Sequence, residues 1–207
     1  SQLIQGGARD EEGKRRSIVW GSQVVPVPCF QVGFCTVSDP DGDTVQATFS
    51  IRREVDEAWI DVAANTRDSY AQFDTAHLPE GVYFTRLVAT ETAPRATTDR
   101  LTATFETDDL IVDHTPPEIL SATASRNGDR VIVTVHGRDA LSLLDSIEVV
   151  FNNGVHETVE QPVDGIRDSR DESFTLDLSL AKVSNATSAE VTLYDAAGNG
   201  VSRRVTW

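Results

Sequence analysis

Five consecutive residues, Asp39-Pro40-Asp41-Gly42-Asp43, place three carboxylates at alternate positions. Carboxylate oxygens are hard donors, and that density suits Ca²⁺, an ion that gathers six to eight oxygens around itself. Position 50 is Ser, where an EF-hand loop of this phase closes with Glu, so the set is incomplete as a metal motif. Asp and Gly are also the residues a tight turn selects, and a plain turn accounts for the segment without any ion. Calcium is therefore an optional expectation, with Asp39, Asp41 and Asp43 as its ligands, and no other cofactor is implied.

Two cysteines, Cys29 and Cys35, lie in Pro28-Cys29-Phe30-Gln31-Val32-Gly33-Phe34-Cys35. On a straight strand their Cα atoms would be about 20 Å apart, well beyond disulfide reach. Gly33 lets the segment turn, and a Cys29–Cys35 disulfide is expected, with two free buried thiols as the alternative. Two cysteines without histidines beside them do not make the four ligands of a metal site. His77, His114, His136 and His156 fall in separate segments, none next to a nucleophile. There is no Ser nucleophile elbow, no His-Glu-x-x-His and no Gly-rich phosphate loop. The many carboxylates could contain a glycosidase pair, but scattered along an acidic chain they single none out, and no catalysis is expected. Trp59 and Trp207 have rings large enough to stack on sugars, yet each lies in a strand-like apolar pattern and is expected to pack in a core. Asn185-Ala186-Thr187 matches a glycosylation sequon, a weak signal in a chain of this length.

The elements that must position these residues follow from composition and pattern. The chain has 207 residues, 39% of them hydrophobic, with three Trp, eight Phe and three Tyr, which is ordinary for folded protein and enough for one large or two ordinary domains. A formal charge of −15 repels phosphate backbones, so nucleic acid is not an expected partner. No stretch approaches the ~20 continuous apolar residues of a membrane helix, and membrane insertion is not expected. Lys14 and Lys182 are the only lysines; this bias fits a salt-rich habitat or a GC-rich genome equally. The absence of Met and of a visible signal peptide suggests a processed chain or a piece of a longer one.

Strand patterns recur at the 8–12-residue spacing of a sandwich, and no segment keeps a 3.6-residue period. Val45, Ala47, Phe49 and Ile51 share one face of an alternating run, and further strands are expected at Ser17–Trp20, Ala58–Val62, Tyr70–Phe73, Val82–Ala89 and Leu101–Val112. Residues 1–8 could add an edge strand. At Asp113-His114-Thr115-Pro116-Pro117 the adjacent prolines lack backbone donors and fix φ, so Pro116 and Pro117 mark a stiff joint between domains 1–112 and 113–207. Beyond it, strands are expected at Arg130–Val135, Ser146–Phe151, Val155–Val159, Ser173–Leu178, Ala189–Tyr194 and Val201–Trp207, with Asn153-Gly154 as a hairpin turn.

Leu78-Pro79-Glu80-Gly81-Val82-Tyr83, followed by Arg86-Leu87-Val88-Ala89, resembles the turn and sixth strand of a fibronectin type III domain. The resemblance implies that the Tyr83 hydroxyl bonds a nearby backbone carbonyl and fastens the crossover between sheets. It also implies that Trp20 is the core tryptophan of the second strand. Tyr194-Asp195-Ala196-Ala197-Gly198-Asn199 and Asp113-His114-Thr115-Pro116-Pro117 are similar to a turn and a linker of bacterial immunoglobulin-like domains. With Asp139-Ala140-Leu141-Ser142, Pro162-Val163-Asp164-Gly165-Ile166 and Asp168-Ser169, the whole resembles the paired C-terminal modules of bacterial extracytoplasmic β-propeller proteins, over roughly residues 15–207. The expected fold is all-β: two tandem antiparallel β-sandwiches, fibronectin type III-like and then immunoglobulin-like.

Such a first domain needs few residues between Trp20 and Asp39, so 21–37 reads as an insertion carrying both cysteines. It folds back as an extra edge strand or small subdomain, or it is a disulfide-braced recognition loop at one end of the sandwich, with Val25, Val27, Phe30 and Phe34 as partner contacts. In the second domain, sandwich connectivity brings Asp139, Asp145, Asp164, Asp168, Asp195 and Asn199 to one pole, near Asp113 and His114. A divalent ion there is one reading; turn caps and bonds to the linker backbone are the plainer one.

The resemblance implies a non-catalytic structural or protein-interaction module of a secreted or surface-attached bacterial protein, extracytoplasmic in location. It would space or present a larger partner, either another protein or other domains of the parent chain. The alternative is a carbohydrate-binding accessory module of an extracellular enzyme. Oligomeric state leaves no mark in the sequence.

Overall fold

The computed structural model describes residues 4–9, 15–24, 30–37, 44–68, 70–92 and 102–207, with side chains from residue 44 onward except 108–109. Among these residues the protein is all-β and has no helix. The chain divides into two compact units, Ser1–Val112 and Asp113–Trp207.

In the first unit, β1 (Ile4–Arg9), β2 (Arg15–Val24), β3 (Phe30–Val37) and β6 (Tyr70–Asp74) form one sheet in that order. The other sheet runs β5 (Ile60–Thr66), β4 (Val45–Arg53), β7 (Gly81–Glu91) and β8 (Thr102–Val112). Alternation explains β4: Ala47, Phe49 and Ile51 point inward and are buried, as do Tyr83, Leu87 and Ala89 of β7. These side chains form two contiguous patches of core, one around Phe49 and Leu87 and one around Ile51, Tyr83 and Leu110.

The described residues of 21–37, Gly21–Val24 and Phe30–Val37, lie in strands of the sheet. Gly21 to Val24 complete β2, and β3 pairs with β2 on one side and β6 on the other, as an interior strand of the sheet. The strand that pairs with β6 is therefore β3, and Trp20 lies on the strand before it, β2, opposite Ile4 and Cys35. The extra-strand reading comes nearer than the recognition-loop one, but β3 is flanked on both sides, by β2 and β6, and is not an edge. Val25, Val27 and Cys29 lie outside the described residues.

In the second unit, β13 (Asp171–Ser179), β10 (Arg130–Arg138) and β9 (Glu118–Asn127) form a three-stranded sheet. It faces β12 (His156–Val159), β11 (Leu144–Phe151), β14 (Ser188–Asp195) and β15 (Gly200–Thr206). β5 pairs with β4 as β12 pairs with β11, so, β1 aside, the two units divide their strands between sheets in the same way. Val131, Val133 and Val135 interleave with Ile147, Val149, Phe174, Val191 and Leu193 in one continuous core. Where the sheets meet at an edge, Arg203 of β15 donates from Nη2 to the Ile119 carbonyl of β9 at 2.8 Å.

Candidate functional site

One end of the second unit gathers the starts of β9, β11 and β13 and the ends of β10 and β14, so the segments 113–117, 139–143, 160–170 and 195–199 share a pole. Asp113 enters it ahead of the two prolines. Its Oδ1 accepts the Thr115 amide at 3.0 Å, a local turn that leads the chain into exposed Pro116 and buried Pro117. Its Oδ2 accepts the Ser142 hydroxyl. Asp139, at the end of β10, accepts the Leu141 and Ser142 amides at 2.7 and 2.8 Å through Oδ1. Asp195, at the end of β14, accepts the Ala197 and Asn199 amides, both at 2.9 Å, while its Oδ2 accepts Asn199 Nδ2 at 2.9 Å.

Asp113, Asp139 and Asp195 each bring a carboxylate oxygen within 4.8 Å of the other two. Asp113 and Asp195 are nearly inaccessible, at 6% and 2% exposure. Burial pushes the Asp195 carboxyl above its ordinary value; bonds from Asn199 oppose the shift, and the Asp113 and Asp139 carboxylates add to it. The arginines of the pole are engaged elsewhere. Arg138 pairs with Glu118 at 2.8 Å, Arg167 with Asp145 at 2.7 Å, and Arg170 donates to the Ala140 carbonyl at 2.9 Å.

A second group lies at the same pole. Asp164, Asp168 and Glu172 also bring one carboxylate oxygen each within 4.8 Å of one another. Asp164 and Asp168 are exposed on the loop before β13, while Glu172 is the second residue of that strand and is buried, at 6% exposure. Its Oε1 is fully buried and has no hydrogen-bond partner. Burial, then Asp164 and Asp168, push the Glu172 carboxyl above its ordinary value; a hydrogen bond from the Ser169 backbone offsets part of this, and Asp171 adds to it.

Of the residues expected at the pole from sequence, Asp139 and Asp195 meet Asp113, Asp164 and Asp168 meet Glu172, and Asp145 joins neither group because Arg167 holds it. Glu172 escaped sequence reading, although a signal was there. It stands in phase with Phe174 and Leu176, so the alternation that buries those two side chains turns a carboxylate inward as well.

In the first unit, Tyr83 Oη donates to the Pro79 carbonyl at 2.8 Å, and the ring is buried against Ile51, Leu110 and Val112. Burial raises the Tyr83 hydroxyl pKa, with Arg53 opposing. Trp59 is not a core residue. It lies ahead of β5, half-buried, with the guanidinium carbons of Arg86 and Arg52 over its ring at 4.2 and 5.2 Å. The outward parity of Arg52 and Arg86 on their strands draws the indole to the outer face by cation–π attraction. Trp207 packs against the second core, edge-on to Phe151 at 5.8 Å. Asp39, Asp41 and Asp43 lie outside the described residues. Phe30, Phe34 and Cys35 are placed by backbone on β3, where Phe30 stands opposite Asp74 and Phe34 opposite Tyr70. Of the histidines, His136 pairs with Asp171 at 2.7 Å and His156 with Glu148 at 2.6 Å, both on exposed strand faces.

No protein-family model matches the chain, and no curated protein matches it. Among solved structures, the chain is similar to the FN1-FN3 domains of chicken CNTN1, at 10% identity and a TM-score of 0.40, over 100% of this chain and 67% of that one. It is also similar to a tetra-tandem repeat in the extending region of a large adhesion protein, at 15% identity and a TM-score of 0.30, over 99% of this chain and 55% of the other.

Proposed function

We propose that the chain is a non-catalytic structural or protein-interaction module of a secreted or surface-attached bacterial protein, which spaces or presents a larger partner outside the cytoplasm. The observation that carries this reading is the use made of the most chemistry-rich residues. Asp113, Asp139 and Asp195 each accept amides of their own turns, and Asp113 also accepts the Ser142 hydroxyl, the work of a scaffold rather than of an acid–base pair. The sequence resemblance supports the bacterial and extracytoplasmic parts of the proposal, and the acidic surface favours a protein partner over a nucleic acid.

The alternative, a carbohydrate-binding accessory module, calls for a row of bare aromatic faces. Trp59 is instead covered by two guanidinium groups, and Trp207 is packed on Phe151. Two measurements test the reading. Native electrophoresis through gels containing soluble polysaccharides should leave the chain unretarded, and retardation would favour the sugar-binding alternative. A photo-crosslinker at Tyr70, which is 49% exposed and stands opposite Phe34, should yield a protein adduct on the parent protein in its own cell. Absence of a protein adduct here and at Val55 and Ile60, other exposed apolar residues of the same unit, would count against the interaction reading.

A further inference from the structure

Glu172 presents a buried carboxylate oxygen with no donor, in a group of three carboxylates. A buried acceptor left without a partner costs free energy, and a charged one costs more. An ordered water or an ion is one of the things that complete such a group in native proteins. The cations nearest in sequence do not complete it here, because Arg167 is turned to Asp145 and Arg170 to the Ala140 carbonyl.

The loop that carries the other two carboxylates is held at both ends. Val163 donates its amide to the Ser173 carbonyl at 2.7 Å, and Leu144 donates to the Ser169 carbonyl at 3.1 Å. Between these anchors, Gly165 adopts φ +84°, and Asp164 Oδ1 accepts the Ile166 amide at 3.0 Å, which fixes the turn and leaves the other Asp164 oxygen uncommitted by that bond. Asp164 and Asp168 thus stand beside Glu172 on a loop that is already shaped.

We propose that Asp164, Asp168 and Glu172 form a binding site for a divalent cation of the calcium class. The donors are all carboxylate oxygens, which suit Ca²⁺, and three carboxylates supply three to six of the six to eight oxygens it takes; water and loop carbonyls complete the shell. Mg²⁺ requires a tighter octahedron and gives up its waters reluctantly, so it binds this partly open set less well. Two of the three ligands are exposed, and the affinity is accordingly that of a weak extracellular site, with Kd on the order of 10⁻⁴–10⁻³ M. The Asp113–Asp139–Asp195 group is a poorer candidate, because each of its carboxylates already accepts hydrogen bonds from turn amides, and Asp113 and Asp195 accept hydrogen bonds through both oxygens.

The test uses the 207-residue chain, treated with chelator and titrated with CaCl₂ or MgCl₂ at constant ionic strength, followed by calorimetric titration and thermal melting. One calcium should bind, and at about ten times Kd the melting of the second unit should rise by roughly 7 °C, with a smaller rise for magnesium. Glu172→Gln should abolish the calcium-induced rise while melting no lower than the parent without calcium, since it removes a buried charge. Asp168→Asn, at an exposed position, should fold as the parent does and weaken binding by about tenfold; it decides the matter should Glu172→Gln fail to fold. No calcium effect at millimolar concentration overturns the proposal. So does a full calcium response retained in both variants, which would place the ion elsewhere, such as Asp39–Asp43.

Discussion

Asn199 Nδ2 donates to the backbone carbonyl of Asp113 at 3.1 Å, joining the turn after β14 to the segment that opens the second unit. The same nitrogen bonds Asp195 Oδ2 at 2.9 Å, so one side-chain amide serves both a carbonyl and a carboxylate. Asn199→Ala should destabilise the second unit by about 1–3 kcal/mol, since it leaves those acceptors unsatisfied. Asn199→Asp should cost more, because it brings a fourth carboxylate to Asp113, Asp139 and Asp195. Urea unfolding followed by intrinsic fluorescence measures both, and an Asn199→Asp variant as stable as the parent would contradict this account of the pole.

The raised Asp195 pKa sets a direction for the pH dependence of stability. A carboxyl whose folded pKa exceeds its unfolded one binds more protons when folded. Its effect is that stability falls as pH rises from the ordinary value toward the raised one, and is flat above. Acidification from neutrality toward the ordinary carboxylate range should therefore stabilise the second unit through this group. Asp195→Asn keeps an acceptor for the Ala197 and Asn199 amides and removes the titration, so its urea midpoints should vary less over that interval. A steeper dependence in the variant would refute the assignment.

Gly137 faces Glu172 across the β10–β13 ladder, at a register shift in β10. A Cβ on Gly137 would collide with Leu193 Cδ2 and lie 2.9 Å from the Glu118 carbonyl oxygen. Gly137→Ala should cost about 1–3 kcal/mol through overpacking. Leu193→Val in the same chain should restore only part of that, because the Glu118 contact is to backbone. Melting curves of the single and double variants check the order.

Tyr83→Phe keeps the ring among Ile51, Leu110 and Val112 and removes the donor to Pro79. The first unit should lose about 1 kcal/mol, read as a lower urea midpoint with an unchanged slope. A larger loss with a changed slope would mean that the hydroxyl organises more than its own turn.

The all-β class was legible because alternation and core alternate together: Val131, Val133 and Val135, or Phe49 and Ile51, announce both the strand and its buried face. What alternation conceals is which strand stands beside which. Residues 21–37 read as an insertion, forming an extra edge strand, a small subdomain or a loop, because the sequence holds no trace of β6, thirty-odd residues later, pairing with β3. Trp59 misled for a related reason. Its apolar neighbours suggested a core strand, but Arg52 and Arg86, remote in sequence, meet at the outer face and hold the ring there. At the pole, the carboxylates themselves were readable from loop order. Their division into two groups was not, since it turns on Arg167 withdrawing Asp145 and on the inward phase of Glu172.

The contact from Arg203 to the Ile119 carbonyl has a mechanical meaning. Tension applied to the two ends of the second unit enters through β9 and leaves through β15, strands of opposite sheets. The guanidinium bridges the two strands at the sandwich edge, near the point where β9 begins. A module that spaces a partner under flow or traction would yield there last if the bridge is loaded in shear, and first if it is peeled, so the direction of pull decides how much extension the module resists.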